Sequence, residues 1–231
     1  MTPLILLPGM MCDARLFAPQ IAALSDQCAV STPDIGRHET VEAIAAEVLK
    51  NAPPQFALGG LSMGGIVAME VVRQAPERLL GLALMDTNPL AEKDEVKARR
   101  AVQIADVRAG NLRRVMQEDM KPNYLFDGPK QSAVLDLCMS MALDLGPEVF
   151  VRQSIALRDR PDQTETLRGY HGPTLILCGR DDRLCPVERH ELMLGLIQNA
   201  TLQIVEQAGH LPTLERPEET TAALQRWLAG V

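Results

Sequence analysis

The stretch that decides the fold runs from residue 56 to residue 65 and reads FALGGLSMGG. Its first six residues are apolar or glycine without alternation, which is typical of a strand buried on both faces. From Met63 onward the apolar residues follow a helical period. Between the two patterns, Ser62 is flanked by Gly60 and Gly64 in the form G-x-S-x-G. The stretch therefore predicts a serine on a tight strand-to-helix turn, where a Cβ in place of either glycine would clash.

Short apolar runs and longer helical patterns alternate on both sides of this stretch. The other predicted strands are residues 4–7, 28–31, 79–85, 174–178 and 201–205. The predicted helices are residues 14–24, 40–51, 63–74, 187–196 and 217–228. Strands that alternate with helices indicate an α/β fold, a mostly parallel six-stranded sheet with helices on both faces. Ligands of such sheets bind beyond the carboxyl ends of the strands.

The alternation stops between residues 89 and 169. This segment is charged and helical in pattern, with expected breaks at Gly110, Pro122, Gly128 and Gly146. We predict a core formed by residues 1–88 and 170–231, with residues 89–169 inserted as a helical lid of three or four helices. The neighbouring residues Arg99 and Arg100 are expected on a solvated helix face.

Three further motifs follow predicted strands: LLPGM at residues 6–10, GRDDRLCP at 179–186 and AGH at 208–210. With the serine motif they resemble the α/β-hydrolase superfamily, in particular its small, lid-bearing, cofactor-free esterase and haloperoxidase-like members. The resemblance extends from Leu4 to Leu228. It implies the hydrolase fold and the chain order nucleophile, acid, base. The chain departs from larger members in its short N-terminal segment, which leaves no room for their opening antiparallel hairpin, so six strands are expected instead of eight.

The residues that would activate Ser62 follow from these motifs. Among the four histidines, only His210 follows a glycine on a loop that leaves a strand at the Ser62 end of the sheet, so we expect it to be the base. His190 is expected to be structural. The resemblance places the acid three residues after Gly179, at Asp182. Asp86, which follows the fourth strand, is the alternative because some superfamily members draw the acid from that position.

The oxyanion that forms during acyl transfer needs preorganised donors, and backbone N–H groups at a helix N-terminus supply them. Met63 directly follows the serine and is expected to donate one. The resemblance implies that Met10 donates the other. Pro8 stands where many relatives have histidine, so a polar contribution from that side chain is absent here.

Composition and charge narrow the possible partners, cofactors and cellular location. The net charge of −7 disfavours nucleic acid and anionic membranes as partners. Five scattered cysteines without a C-x-x-C pair disfavour a disulfide framework and a zinc site, and indicate a reducing compartment. The first residues lack the basic region of a signal peptide. We therefore expect a cytoplasmic monomer or homodimer without metal or organic cofactor, acting on a small molecule.

These expectations combine into a serine hydrolase that cleaves a small to medium ester, thioester or amide with an apolar acyl part through an acyl-serine intermediate. Two alternatives stay open. The same three side chains also serve lyases and C–C bond hydrolases, and a receptor of this fold can keep them while turning over slowly. The sequence does not identify the substrate, because a fold does not fix a function.

Overall fold

The sheet has six strands, and every pairing in it is parallel. A computed structural model of the chain describes residues 1–129 and 131–231. The strands lie in the order β2-β1-β3-β4-β5-β6. They are β1 (Thr2–Leu7), β2 (Cys28–Ser31), β3 (Phe56–Leu61), β4 (Leu79–Met85), β5 (Thr174–Gly179) and β6 (Ala200–Val205). The predicted fold class is confirmed.

Helices connect these strands. They are α1 (Ala18–Leu24), α2 (Val41–Asn51), α3 (Met63–Gln74), α4 (Asp94–Arg108), α5 (Leu112–Arg114), α6 (Gln131–Arg158), α7 (Thr164–Arg168), α8 (Val187–Leu196), α9 (Pro212–Glu215) and α10 (Pro217–Leu228). Short 3₁₀ turns cover Ala14–Phe17, Pro76–Arg78 and Lys121–Asn123, and a π-helical turn covers Val115–Met120. None of the described helices is both long and apolar enough to span a membrane.

Two hydrophobic cores form because successive strand residues face opposite sides of the sheet. In β1, Ile5 and Leu7 pack in the core that also contains the buried faces of α2, α3 and α8. Leu4 and Leu6 pack in the other core, which contains residues of α1 and α10. The sheet is therefore covered by helices on both faces, as the unbroken apolar runs predict.

One predicted helix, residues 14–24, divides into a 3₁₀ turn and α1. Pro19 lies in the first turn of α1. Backbone N–H groups in the first turn have no acceptor within the helix, so a proline there costs no hydrogen bond. Thr40 caps α2 instead of belonging to it, because its hydroxyl accepts the N–H of Ala43 at 3.1 Å.

The chain between β4 and β5 contains α4 to α7 with no strand among its described residues. The expected break at Gly110 separates α4 from α5. The break at Gly146 is a kink inside α6, where this glycine has a φ of 82° that other residues rarely adopt. The division into a core and a lid made of residues 89–169 stays a prediction.

Candidate active site

Ser62 lies on the turn between β3 and α3 in a backbone conformation that is strained for a residue with a side chain. Its φ is 54° and its ψ is −114°. Two hydrogen bonds hold this conformation: the Ser62 N–H donates to the Met85 carbonyl at 2.9 Å, and the Thr87 hydroxyl donates to the Ser62 carbonyl at 2.8 Å. The turn thus presents the serine hydroxyl at the carboxyl end of the sheet.

The two glycines of the motif are required by space. A Cβ at Gly60 would overlap the backbone of Gly64, directly across the turn. A Cβ at Gly64 would overlap the carbonyl groups of Leu7 and Pro8, which end β1 and begin the next loop. The close approach of α3 to β3 therefore depends on Gly60, and its close approach to β1 depends on Gly64, as the sequence pattern predicts.

A chain of two hydrogen bonds joins three of the predicted site residues. His210 Nε2 lies 2.9 Å from Ser62 Oγ, and His210 Nδ1 lies 2.8 Å from Asp182 Oδ2. Asp182 and His210 are both buried. An ionised Asp182 carboxylate can accept a hydrogen bond but cannot donate one. His210 Nδ1 therefore carries the ring proton, and Nε2 is free to accept a hydrogen bond from the serine hydroxyl. The arrangement can therefore withdraw a proton from Ser62.

The environment of Asp182 favours its ionised form. Burial alone would raise its pKa, but the nearby His210 and the N–H groups of Cys185 and Leu184 outweigh that effect, so the pKa is lowered. These two N–H groups donate to Oδ1 at 3.0 and 2.8 Å, which leaves Oδ2 for His210. A charged carboxylate beside the imidazole stabilises the cation that forms when His210 takes a proton.

Asp86, the alternative acid, lies at the end of β4 without a hydrogen bond to His210. Its Oδ1 accepts the N–H of Gly179 at 2.9 Å, and its Oδ2 has no partner among the described residues. Burial, with the charge of Asp182 added to it, raises the pKa of Asp86 well above its usual value. The structure therefore places Asp182, and not Asp86, against the histidine.

Glu215 fixes the loop that carries His210. Its buried carboxylate accepts the N–H groups of Gly209 and Leu211, the two neighbours of the histidine, at 3.0 Å. It also accepts the N–H of Phe126 at 2.8 Å, so it ties the loop to the 89–169 segment. Glu215 could not be predicted from the sequence, because nothing in a single sequence relates a glutamate on a short helix to backbone groups elsewhere.

The loop after β1 places Gly9 beside Ser62, and Met10 lines the same cavity as the serine. Gly9 is close to both Leu61 and the serine, since a Cβ added to it would lie 3.6 Å from Ser62 Cβ. Met11 has a φ of 55°, and its N–H donates to Gln153 Oε1 of α6 at 2.8 Å. In contrast, the N–H groups of Met10 and Met63 donate to none of the described residues. Both are available for an oxyanion.

His190 supports the turn from a buried position in α8. Its Nε2 accepts the N–H of Thr87 at 3.1 Å, and Thr87 in turn donates to the Ser62 carbonyl. Burial lowers the pKa of His190 to about 4, so the ring is neutral near pH 7. The structural role expected for His190 agrees with these contacts.

A cavity of about 350 Å³ opens on Ser62 and His210. Met10, Ile66 and Met120 give it apolar walls, and Leu184 lies at its exposed side. Arg100 also lines the cavity, although the sequence suggested a solvated helix face for it. The Arg100 side chain is 14% exposed, because α4 turns this residue toward the site. The volume is within the lower part of the range of small-molecule sites, roughly 300–1,000 Å³.

A family model described as the alpha/beta hydrolase family matches residues 4–224. The chain belongs to the alpha/beta hydrolase family. The matched region includes all three residues of the hydrogen-bonded chain, and the expected resemblance is confirmed. As an alpha/beta hydrolase whose relatives are esterases and hydrolases, the protein is an enzyme, and ester hydrolysis is the supported activity.

Named relatives are esterases. Pimeloyl-[acyl-carrier protein] methyl ester esterase of Xanthomonas oryzae is 24% identical over 99% of this chain and 95% of its own length. The enzyme of the same name from Klebsiella pneumoniae is 28% identical over 93% and 88%. Among solved structures, a malate-bound thermophilic esterase from Thermogutta terrifontis is 29% identical, with a TM-score of 0.90 over 99% of this chain and 90% of that one. An enol-lactonase from Burkholderia xenovorans, 21% identical with a TM-score of 0.85 over 99% and 92%, shares the fold.

One group of potential metal ligands lies in the described residues. Ligand atoms of Asp182, Cys185 and His210 come within 4.8 Å of one another. Two of the three are the hydrogen-bonded pair next to Ser62, and burial raises the pKa of the Cys185 thiol well above its usual value. The thiolate form that metals bind is therefore disfavoured. The expectations of no cofactor, a cytoplasmic location and a monomer or homodimer stay predictions.

Proposed function

We propose that Ser62, His210 and Asp182 form a catalytic triad and that the protein hydrolyses small to medium carboxylic esters through an acyl-serine intermediate. The observation that supports this most directly is the pair of hydrogen bonds that join Ser62 Oγ to His210 and His210 to Asp182, each shorter than 3.0 Å. The cavity on the same hydroxyl gives a substrate access to it. Relatives named as methyl ester esterases support the ester as the scissile group.

The first half of the reaction forms the acyl-enzyme. Ser62 Oγ attacks the ester carbonyl carbon while His210 Nε2 takes the hydroxyl proton. The carbonyl oxygen becomes an oxyanion, for which the N–H groups of Met10 and Met63 are the proposed donors. Each such donor contributes about 3 kcal/mol to a transition state of this kind. The tetrahedral intermediate collapses as His210 returns its proton to the leaving alkoxide, which departs as the alcohol.

The second half repeats these steps with water in place of the serine. His210 takes a proton from the water as its oxygen attacks the acyl carbon. The proton then goes to Ser62 Oγ when the acyl bond breaks, and the carboxylic acid is released. Asp182 keeps the imidazole in the required tautomer and stabilises its cation in both halves. No group outside the chain and its substrates is needed to balance either half.

The deciding experiment combines a fluorophosphonate label with a panel of 4-nitrophenyl esters of increasing acyl length. Ser62→Ala is expected to abolish labelling and to lower kcat by on the order of 10⁵ to 10⁶. Ser132→Ala, which removes an exposed serine of α6, is the matched control and should behave as wild type. A protein that is labelled at Ser62 but turns over no ester would contradict the proposal and favour a ligand-binding receptor.

A further inference from the structure

The charged side chains around the cavity differ in sign from the protein as a whole. The chain carries a net charge of −7. Its cavity is nevertheless lined by four arginines, Arg99, Arg100, Arg160 and Arg183, against two carboxylates, Glu92 and Asp119. Since a cleft with low-dielectric walls concentrates the field of its charges, this excess attracts anions to the site.

Two of these groups neutralise one another. Arg160 Nη1 and Nη2 donate to the two carboxylate oxygens of Glu92 at 2.8 and 3.1 Å, a bidentate pair. Arg160 Nε donates to the Leu90 carbonyl at 3.0 Å. The side chains are 6% and 8% exposed, so the pair is a built and largely dehydrated element of the cavity wall. Its charges cancel.

Among the described residues, Arg100 has no carboxylate that pairs with it alone. Its Nε and Nη2 both reach Glu92 Oε2, at 3.1 Å, and that oxygen is already held by Arg160. Among the described residues, the only hydrogen-bond acceptor of its Nη1 is the thioether of Met10, at 3.8 Å, which is a weak acceptor. Burial lowers the pKa of the Arg100 guanidinium. The result is a largely buried cation whose charge is incompletely compensated, a state that is unfavourable until an anion binds to it.

The position of Arg100 relates it to the reaction. Met10 contributes the thioether in contact with Arg100 and the backbone N–H assigned to the oxyanion. Arg100 therefore contacts the side chain of a residue whose backbone is assigned to the oxyanion, and it lines the same cavity as Ser62. We propose that Arg100 binds a carboxylate of the substrate, so that the preferred esters carry a carboxylate a few atoms from the scissile bond. This inference rests on the proposed ester hydrolysis and adds the substrate class to it.

The test compares esters that differ only in this charge. Methyl hydrogen glutarate is paired with methyl glutaramate, in which a primary amide replaces the carboxylate. A second pair, butyryloxyacetate and butyryloxyacetamide, places the same groups on the alcohol side. In at least one pair we expect kcat/KM for the carboxylate to exceed that for the amide by about 10- to 100-fold, as for a charge-assisted hydrogen bond.

Arg100→Gln should bring that ratio close to one. Arg113→Gln is the matched control, because it removes an exposed arginine of the same segment that does not line the cavity, and its ratio should equal that of wild type. The wild-type ratios test the proposal even where the Arg100 variant folds poorly. Wild-type ratios near one in both pairs, with the amides hydrolysed, would overturn carboxylate recognition and leave ester hydrolysis standing. Failure to hydrolyse any ester would instead overturn the proposed function.

Discussion

Replacing Asp182 by asparagine tests the assignment of the acid, and the structure determines how the new side chain is oriented. Oδ1 of Asp182 accepts two backbone N–H groups, from Leu184 and Cys185. Only the amide oxygen of asparagine can take that place. The amide nitrogen then occupies the position of Oδ2, 2.8 Å from His210 Nδ1, and donates a proton to it. His210 is thereby forced to carry its own proton on Nε2, where it cannot accept one from Ser62.

The size of the effect follows from the opposite orientation of the amide. Turning the oxygen toward His210 restores the active tautomer but leaves two partly buried N–H groups facing an NH₂ group. At about 1–3 kcal/mol for each unsatisfied group, this orientation costs about 2–6 kcal/mol. The active population, and with it kcat, falls by about 30- to 10⁴-fold. Circular dichroism and the urea midpoint verify that the variant folds, and kcat is measured with a 4-nitrophenyl ester.

Asp86→Asn is the matched comparison. Burial already favours the protonated form of Asp86, and asparagine has the same shape as a protonated aspartic acid. Its amide oxygen can accept the Gly179 N–H that Oδ1 accepts now. We therefore expect kcat to fall less than 10-fold, within the scatter of roughly 1 kcal/mol for a conservative change. A larger loss at Asp86 than at Asp182 would refute the assignment of the acid and the orientation argument with it.

Three further predictions concern stability, and urea unfolding measures each. Gly64→Ala should lower the free energy of unfolding by about 3 kcal/mol or more, because its Cβ overlaps backbone atoms. Gly195→Ala, in open space on α8, should raise the free energy of unfolding by up to about 1 kcal/mol. Equal effects of the two substitutions would contradict this account. His190 has a folded pKa of about 4 against 6.5 unfolded, so stability should fall by about 3 kcal/mol from pH 7 to pH 4 as the unfolded chain takes up the proton. His190→Gln should remove that part of the pH dependence, and an unchanged slope would speak against it. Glu215→Ala removes the acceptor of three backbone N–H groups and should cost about 3 kcal/mol or more; a loss below about 1 kcal/mol would contradict the role of its carboxylate.

The sheet could be predicted from the sequence because its signals are local. Each strand is a short, mostly apolar run, and β1 and β4 are followed directly by Pro8 and Asp86. The helical patterns at 63–74, 187–196 and 217–228 match α3, α8 and α10. The strained turn at Ser62 was also predictable, since two glycines at fixed spacing are its direct steric requirement. The candidate site residues were predicted for a related reason, because Ser62 directly follows β3 and because Asp182 and His210 lie on the loops that follow β5 and β6.

The supporting residues could not be predicted, because their role depends on distant backbone groups. Gln153 lies 142 residues from the Met11 N–H that it accepts, and Glu215 lies 89 residues from that of Phe126. Arg100 looks solvated in the sequence because α4 is polar all round, and only packing shows which of its charged residues faces inward. Periodicity identifies a helix here without identifying its buried face.

These distant contacts have a consequence for how the enzyme can change. The hydrogen bonds between the 89–169 segment and the loops around Ser62 include these three: the Met11 N–H donates to Gln153, the His210 N–H donates to the Tyr124 carbonyl, and the Phe126 N–H donates to Glu215. Each of them holds the backbone of a catalytic loop or the carboxylate that fixes it. The same segment supplies Arg100 and Met120 to the cavity wall. The shape of the cavity and the geometry of the proposed triad therefore both depend on this segment. A substitution there that reshapes the cavity also shifts the loops, and we expect kcat and KM to change together.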